Sequence, residues 1–323
     1  MKMKKEFKNT IILLVIGVIL FLVLSFLMDT EILNRYYGRI VILICINVIL
    51  AVSLNLIIGI TGQLTLGHAG FMSIGAYAAA MATIQLNVPF PIALLLGGVA
   101  AGLIGYLIGL PTLSLKGDYL AITTLGFGEI IRVVITNIDQ LGGGRGLSGI
   151  PPKTTFAWVF FIMVFTILII YNIARSSQGR AMMSVREDEI AAEAMGINTT
   201  KYKIMAFVIG SFLAGIAGGL FSHYLMYIKP EQFGFLKSVD LVTYVVMGGM
   251  GSLTGSVLST GILTVLPEFL RFMNDYRMII YPLALIVIMR FRPQGLMGTK
   301  ELSMKIFDKF SKGSDDDAAF KGK

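Results

Sequence analysis

Glu129 and Arg132 stand three residues apart inside an otherwise apolar run. On a helix that spacing places a carboxylate and a guanidinium on one face, where they neutralise each other. Ionisable pairs at membrane depth face a cavity or a bundle interior. The pair is therefore either a pathway or gating element, or a clamp between helices or near the outer interface. Thr123 and Thr124, one to two turns earlier, supply hydroxyls that either line a pathway or bond their own helix carbonyls. His68, in Leu66-Gly-His-Ala, opens an apolar segment and reads either as a pathway group beside a broken helix or as a packing histidine. With Gly62, Gln63 and Thr65 just before it, and with Thr123, Thr124, Glu129 and Arg132, it makes up the candidate substrate pathway. His223 has no supporting neighbourhood. Two isolated histidines without cysteines or paired carboxylates make no metal site, and no catalytic constellation of acid, base and nucleophile converges anywhere in the chain.

A second polar cluster is Ser184-Val-Arg-Glu-Asp-Glu-Ile-Ala-Ala-Glu-Ala-Met-Gly196. Ser184 followed by Glu187 has the form of a capping box, and Gly196 supplies a stop. The acidic residues 187–189 suit the positive end of a helix dipole. The expectation is one independent helix of about three turns. At 100° per residue Ile190, Ala191, Ala194 and Met195 share one face and Arg186, Glu189 and Glu193 another. A new helix starts at Asn198-Thr-Thr200. An acidic helix with a mostly alanine apolar face suits a cytoplasmic protein groove better than an anionic lipid surface, the alternative for such a segment.

The elements that position these groups follow from composition. Of 323 residues 55% are hydrophobic and only 14% charged, where soluble domains carry about 25% charged residues. Mean hydropathy is +0.79. Repeated apolar runs near bilayer length predict a polytopic membrane protein, and the need to satisfy every backbone group within its own segment makes it helical. The fold class is all-α, a polytopic membrane helical bundle of about 8–10 spans including short or broken helices. Ten segments are drawn, at about 10–28, 40–60, 67–85, 91–110, 119–136, 156–174, 203–228, 238–249, 252–270 and 278–290. The eighth is too short to cross as a straight helix and reads as re-entrant or half of a broken helix. The start, MKMKKEFKNT before an apolar run, resembles a signal peptide. That run reaches about Phe26 without a small-x-small cleavage site, so it reads as a retained first span.

Charge tests the topology. With both termini cytoplasmic, the inside segments hold 18 of the 27 Lys and Arg residues, the outside loops 8, and Arg132 lies within a span. That bias obeys the positive-inside rule, so the net charge of +8 reports topology and not nucleic acid. The single cysteine, Cys45, lies in an apolar run and excludes an internal disulfide. Gly98 and Gly102, and Gly105 and Gly109, stand four apart, the spacing of a groove for close helix contact. Gly62-Gln-Leu-Thr65 and Gly251-Ser-Leu-Thr254 form a faint echo, each following one apolar segment and opening another; chance and an internal repeat both account for it. Asp139 and Arg145 in the 137–155 loop, and Glu231 and Asp240 in the 229–240 segment, are outer-loop charges, either solvated or available to dock a binding protein. Residues 1–295 form the membrane domain, with the helix at 184–196 inside it, and 296–323 a cytoplasmic tail expected to be disordered.

Four ordered motifs carry a resemblance. Arg186-Glu-Asp-Glu189 with Ala191-Ala-Glu-Ala-Met-Gly196 is similar to the "EAA" cytoplasmic loop of ABC importer permeases. Gly62-Gln-Leu-Thr-Leu-Gly-His-Ala-Gly-Phe71, Lys116-Gly-Asp-Tyr-Leu-Ala-Ile-Thr-Thr-Leu-Gly-Phe-Gly-Glu-Ile-Ile-Arg132 and Gly248-Gly-Met-Gly-Ser-Leu-Thr-Gly255 resemble branched-chain amino acid permeases of the LivM type, over roughly 40–295. The resemblance implies a translocation subunit in a bacterial cytoplasmic membrane. It implies a second, homologous permease of the LivH type, two ATP-binding subunits, and an extracytoplasmic binding protein delivering Leu, Ile or Val. It assigns ATPase coupling to Arg186, Glu189, Ile190, Ala191, Ala192, Glu193, Ala194 and Gly196. The chain has no Gly-x-x-x-x-Gly-Lys-[Ser/Thr] loop; Gly142-Gly-Gly-Arg-Gly146 lacks the Lys-Ser/Thr. No cofactor is expected on this chain, ATP-Mg being held by partner subunits. A secondary transporter of a small hydrophobic solute is the alternative, with Glu129 as its one coupling carboxylate; a membrane-embedded enzyme is third.

Overall fold

The computed structural model describes residue 17 and residues 21–26, 34–115, 117–271, 277–292 and 295–298. Most of the first predicted span, Lys116, and the tail from 299 onward lie outside the described residues. Eleven helices are named here: α1 Arg35–Asn55, continued by a π turn Leu56–Ile60, α2 His68–Ile84, α3 Phe90–Thr112, α4 Asp118–Thr136, α5 Phe156–Arg175, α6 Ser177–Glu187, α7 Glu189–Ala194, α8 Thr199–Leu225, α9 Phe235–Gly248, α10 Leu253–Phe269 and α11 Arg277–Phe291. Among the described residues there is no strand, only a bridge between Leu147 and Ile228. Five helical stretches, 36–60, 90–112, 118–136, 156–175 and 199–225, are long and apolar enough to cross a membrane. With the shorter helices they form the expected polytopic bundle.

The sequence of α1 is apolar all round, as a helix without a solvent face must be. Ile46, Ile49, Leu50, Leu54, Leu56 and Ile57 are all fully buried, and α5, α8, α9 and α10 pack around it. α4 is the opposite case, with Tyr119, Ile122, Ile130, Val133 and Val134 exposed on its outer side. That is the surface a lipid- or partner-facing helix presents.

Close packing among α2, α3 and α8 depends on glycine. A Cβ on Gly75 would fall inside the backbone of Gly215, and one on Gly215 would lie 2.7 Å from the Gly97 carbonyl. The four-residue spacing along α3 does form one face. Gly98 and Gly102 lie against Phe212, Gly105 against Ser211 and Gly109 against Phe207, all on α8. The attraction here is dispersion between surfaces brought close by missing side chains, since lipid offers no hydrophobic drive between helices.

His223 belongs to this packing. Its Nδ1 lies 2.8 Å from the Gly219 carbonyl and its Nε2 2.9 Å from the hydroxyl of Thr83. Its ring meets the edge of Phe90.

Candidate functional site: a capped segment beside two glycine turns

The segment after α5 is built differently from the single capped helix expected. Ser176 caps α6, its hydroxyl accepting from the Gly179 N–H at 3.2 Å. Ser184 is not a cap: it lies inside α6, and its hydroxyl donates to the Ala181 carbonyl. The break falls at Asp188, whose backbone is extended and whose carboxylate accepts from the N–H groups of Ile190 and Ala191 at 2.9 and 3.1 Å. Aspartate is among the strongest N-caps, whereas serine readily bonds back within a helix; that competition moves the start from 184 to 188. The helix that follows is six residues long, not three turns. Gly196, at φ +82°, ends it, with Ile197 N–H reaching back to the Ala192 carbonyl. Asn198 then caps α8 by accepting from Lys201 N–H.

This break separates Arg186 from Glu189 and Glu193, which do not form one face with it. Glu189 pairs with the Lys203 ammonium at 2.5 Å, and Glu193 accepts from the Thr199 hydroxyl at 2.6 Å. Both acidic residues thus fasten α7 to the start of α8. Ala192 is buried beneath, while Ile190 is 75% and Met195 83% exposed, with Ala191 and Ala194 beside them. The apolar face of the segment is outward and the acidic face is occupied.

Arg186, at the end of α6, turns inward. Its Nη1 donates to the Gly59 carbonyl of the π turn at 2.7 Å, and its Nη2 pairs with Glu187 at 2.5 Å. π turns within helices recur at functional positions. Here the turn ends α1 and starts the irregular stretch 61–67 that leads to α2.

The pathway candidates fall into two groups. Gln63, Thr65 and His68 are buried around that stretch, and Thr124 joins them from α4, its hydroxyl accepting from Leu66 N–H at 3.1 Å. A Cβ on Gly67 would collide with the Thr124 carbonyl, so α4 crosses this stretch at backbone contact. Thr124 donates in turn to Ala121. Ser53 donates to the Leu50 carbonyl, so His68 Nε2 donates to the Ser53 oxygen at 2.9 Å. His68 Nδ1 and both amide atoms of Gln63 are buried without a partner. Thr123 is half-buried.

Glu129 and Arg132 form the second group, further along α4. They pair at 2.7 Å with about a third of each side chain exposed. Glu129 also accepts from the Phe235 N–H at 3.2 Å and so serves the start of α9. Nearby, the loop after α4 and Tyr227 enclose an open polar cleft of about 640 Å³, lined by Thr136, Asp139, Arg145 and the surrounding glycines. Sequence reasoning missed a third polar element. Lys237 donates to Asn47 at 2.9 Å, and Asn47 donates to Thr264 at 3.2 Å, tying α9, α1 and α10 together. Asn47 and Lys237 are rare residue types within apolar runs, and that was the available signal.

The family described as "Branched-chain amino acid transport system / permease component" matches residues 36–289. The chain is 34% identical, over 276 residues, to the high-affinity branched-chain amino acid transport system permease protein LivM of Salmonella typhimurium, covering 75% of this chain and 65% of that protein. Identity to LivM of Escherichia coli is the same, with the same coverage. The LivH permease protein of Escherichia coli is 30% identical over 154 residues, covering 46% of this chain and 49% of that protein. The chain therefore spans 65% of the length of the LivM proteins it matches. No solved structure matches. The helical bundle, the motifs that build its turns and a match across residues 36–289 agree: the chain belongs to the branched-chain amino acid transport system permease family.

Proposed function

We propose that this chain is the membrane-spanning permease subunit of an ATP-driven ABC importer for branched-chain amino acids. It provides half of a translocation pathway that works by alternating access. A second permease of the LivH type supplies the other half. Two ATP-binding subunits hold ATP-Mg on the cytoplasmic side, and an extracytoplasmic protein delivers the amino acid. The chain itself catalyses no reaction and sits in a bacterial cytoplasmic membrane with both termini inside.

The observation that carries this reading is the segment 188–196. It is capped at both ends, fastened to α8 by Glu189 and Glu193, and presents Ile190 and Met195 outward. A connector between spans has no need of such a device; a seat for a soluble subunit does. The names of the similar proteins supply the substrate class, and the buried, mostly apolar surroundings of Gln63 and His68 suit a small apolar solute.

The secondary-transporter reading requires a carboxylate free to take up and release a proton or ion. Glu129 is engaged both by Arg132 and by the Phe235 N–H, which disfavours it. Reconstitution of the chain with its permease and ATPase subunits in proteoliposomes decides between them. ATP with loaded binding protein is expected to drive leucine uptake that ionophores leave intact; uptake driven by an ion gradient without ATP overturns the importer.

A further inference from the structure

The Gly-x-Leu-Thr echo is not explained by membrane spanning or by ATPase docking. The two copies, nearly two hundred residues apart, are nevertheless joined through the end of α1 and through Arg186, which lies against both Gly62 and Gly251. Asn55, in the last turn of α1, donates from Nδ2 to the Ser252 carbonyl at 3.1 Å and accepts at Oδ1 from the Gly251 N–H at 2.9 Å. Arg186 enters the same junction from α6. Its Nη1 bonds the Gly59 carbonyl, and a Cβ on Gly251 would lie 3.0 Å from that same nitrogen. A Cβ on Gly62 would lie 2.7 Å from Arg186 Cγ and 3.2 Å from its Cα. Gly62 and Gly251 both have positive φ, +75° and +90°, which favours glycine there, and the resulting bare backbone lets the arginine stem lie directly on the turn. Each turn leads into a helix, α2 in one case and α10 in the other.

We propose that Arg186 is the positioning residue that transmits displacement of the 188–196 segment to both glycine turns, and so to α2 and α10 together. This rests on the reading of 188–196 as the seat of an ATP-binding subunit. Asp188, the cap of that segment, is two residues from Arg186, and no flexible linker intervenes. The guanidinium spans two jobs at once, bonding Gly59 with one nitrogen and Glu187 with the others. A planar fork transmits direction as well as charge, which a lysine ammonium does not. With glycine at the two positions that face Arg186, no side chain on the turns intervenes to absorb the movement.

The test uses the complete importer in proteoliposomes, comparing wild type with Arg186→Gln, Arg186→Lys and Gly62→Ala. The last keeps the charge and displaces the arginine stem. ATPase subunits retained, ATP hydrolysis and leucine taken up per ATP hydrolysed are measured on each. Arg186→Gln and Gly62→Ala are expected to keep their ATPase subunits while uptake per ATP falls about tenfold, a normal coupling magnitude; Arg186→Lys falls between them and wild type. An unchanged ratio in the variants overturns the proposal. Loss of ATPase subunits from an otherwise intact Arg186→Gln membrane assembly also overturns it, making Arg186 a docking residue while leaving the importer reading in place. A wild-type complex that never retains ATPase subunits removes both. If Arg186→Gln fails to assemble, Gly62→Ala and Arg186→Lys decide by the same ratio.

Discussion

Replacing Ile190 and Met195 together by aspartate tests the proposed seat of an ATP-binding subunit without touching what holds the segment in place. Both side chains are largely exposed, at 75% and 83%, so the free permease loses almost no packing. Full burial of such a side chain stabilises by about 1.5–3 kcal/mol, which sets a ceiling of about 3–6 kcal/mol for the pair. Interfaces return less than area suggests, because ordering and polar desolvation take their share. A working value of about 3 kcal/mol corresponds to about 150-fold weaker association, and two carboxylates driven toward an apolar groove add to it. The assay is binding of purified ATP-binding subunit to the permease pair in nanodiscs, with thermal unfolding to confirm an intact bundle. Thr200→Asp, exposed at the start of α8, controls for charge alone. A dissociation constant within threefold of wild type would refute the reasoning, since the outward apolar face would then be no seat. Glu189→Lys would be a poorer probe. It puts a second cation against Lys203 and unfastens α7 from α8, so loss of docking would not distinguish contact from position.

Three further expectations concern packing and pathway. Gly75→Val forces a side chain into the Gly215 backbone and should cost at least about 2 kcal/mol by overpacking; Gly126→Ala, where a Cβ meets open space, should leave the thermal midpoint of the solubilised protein unchanged or higher. His223→Leu removes the partner of the Gly219 carbonyl and of Thr83, lowering stability by about 1–3 kcal/mol, while uptake per folded molecule holds; a large fall in uptake at unchanged stability would make His223 functional. Gln63→Leu removes two buried, unpartnered polar atoms and should alter stability by less than about 1 kcal/mol, yet lower leucine uptake. Unchanged uptake takes Gln63 out of the pathway.

What the sequence determined by itself is the part governed by local periodicity and by the solvent. A charged fraction of 14% and apolar runs of bilayer length admit only helices, and among the described residues the helices lie where the runs do. Asn198 and Gly196 marked a helix start and stop correctly because capping and positive φ are decided within a few residues. The four-residue glycine spacing on α3 indicated a contact face for the same reason.

The tertiary structure alone decided which partner each polar group took. Ser184 was expected to cap the segment, whereas in the fold it lies inside α6 and Asp188 caps α7. Glu189 and Glu193, expected to share a face with Arg186, instead bond Lys203 and Thr199. The neighbours of Gly62 and Gly251 lie on α6, more than sixty residues away from either in sequence, and Asn55 gave no local sign of bridging to Ser252. Such contacts depend on where distant helices cross. Helix crossings are set by the summed packing of whole faces, which no window of neighbouring residues contains.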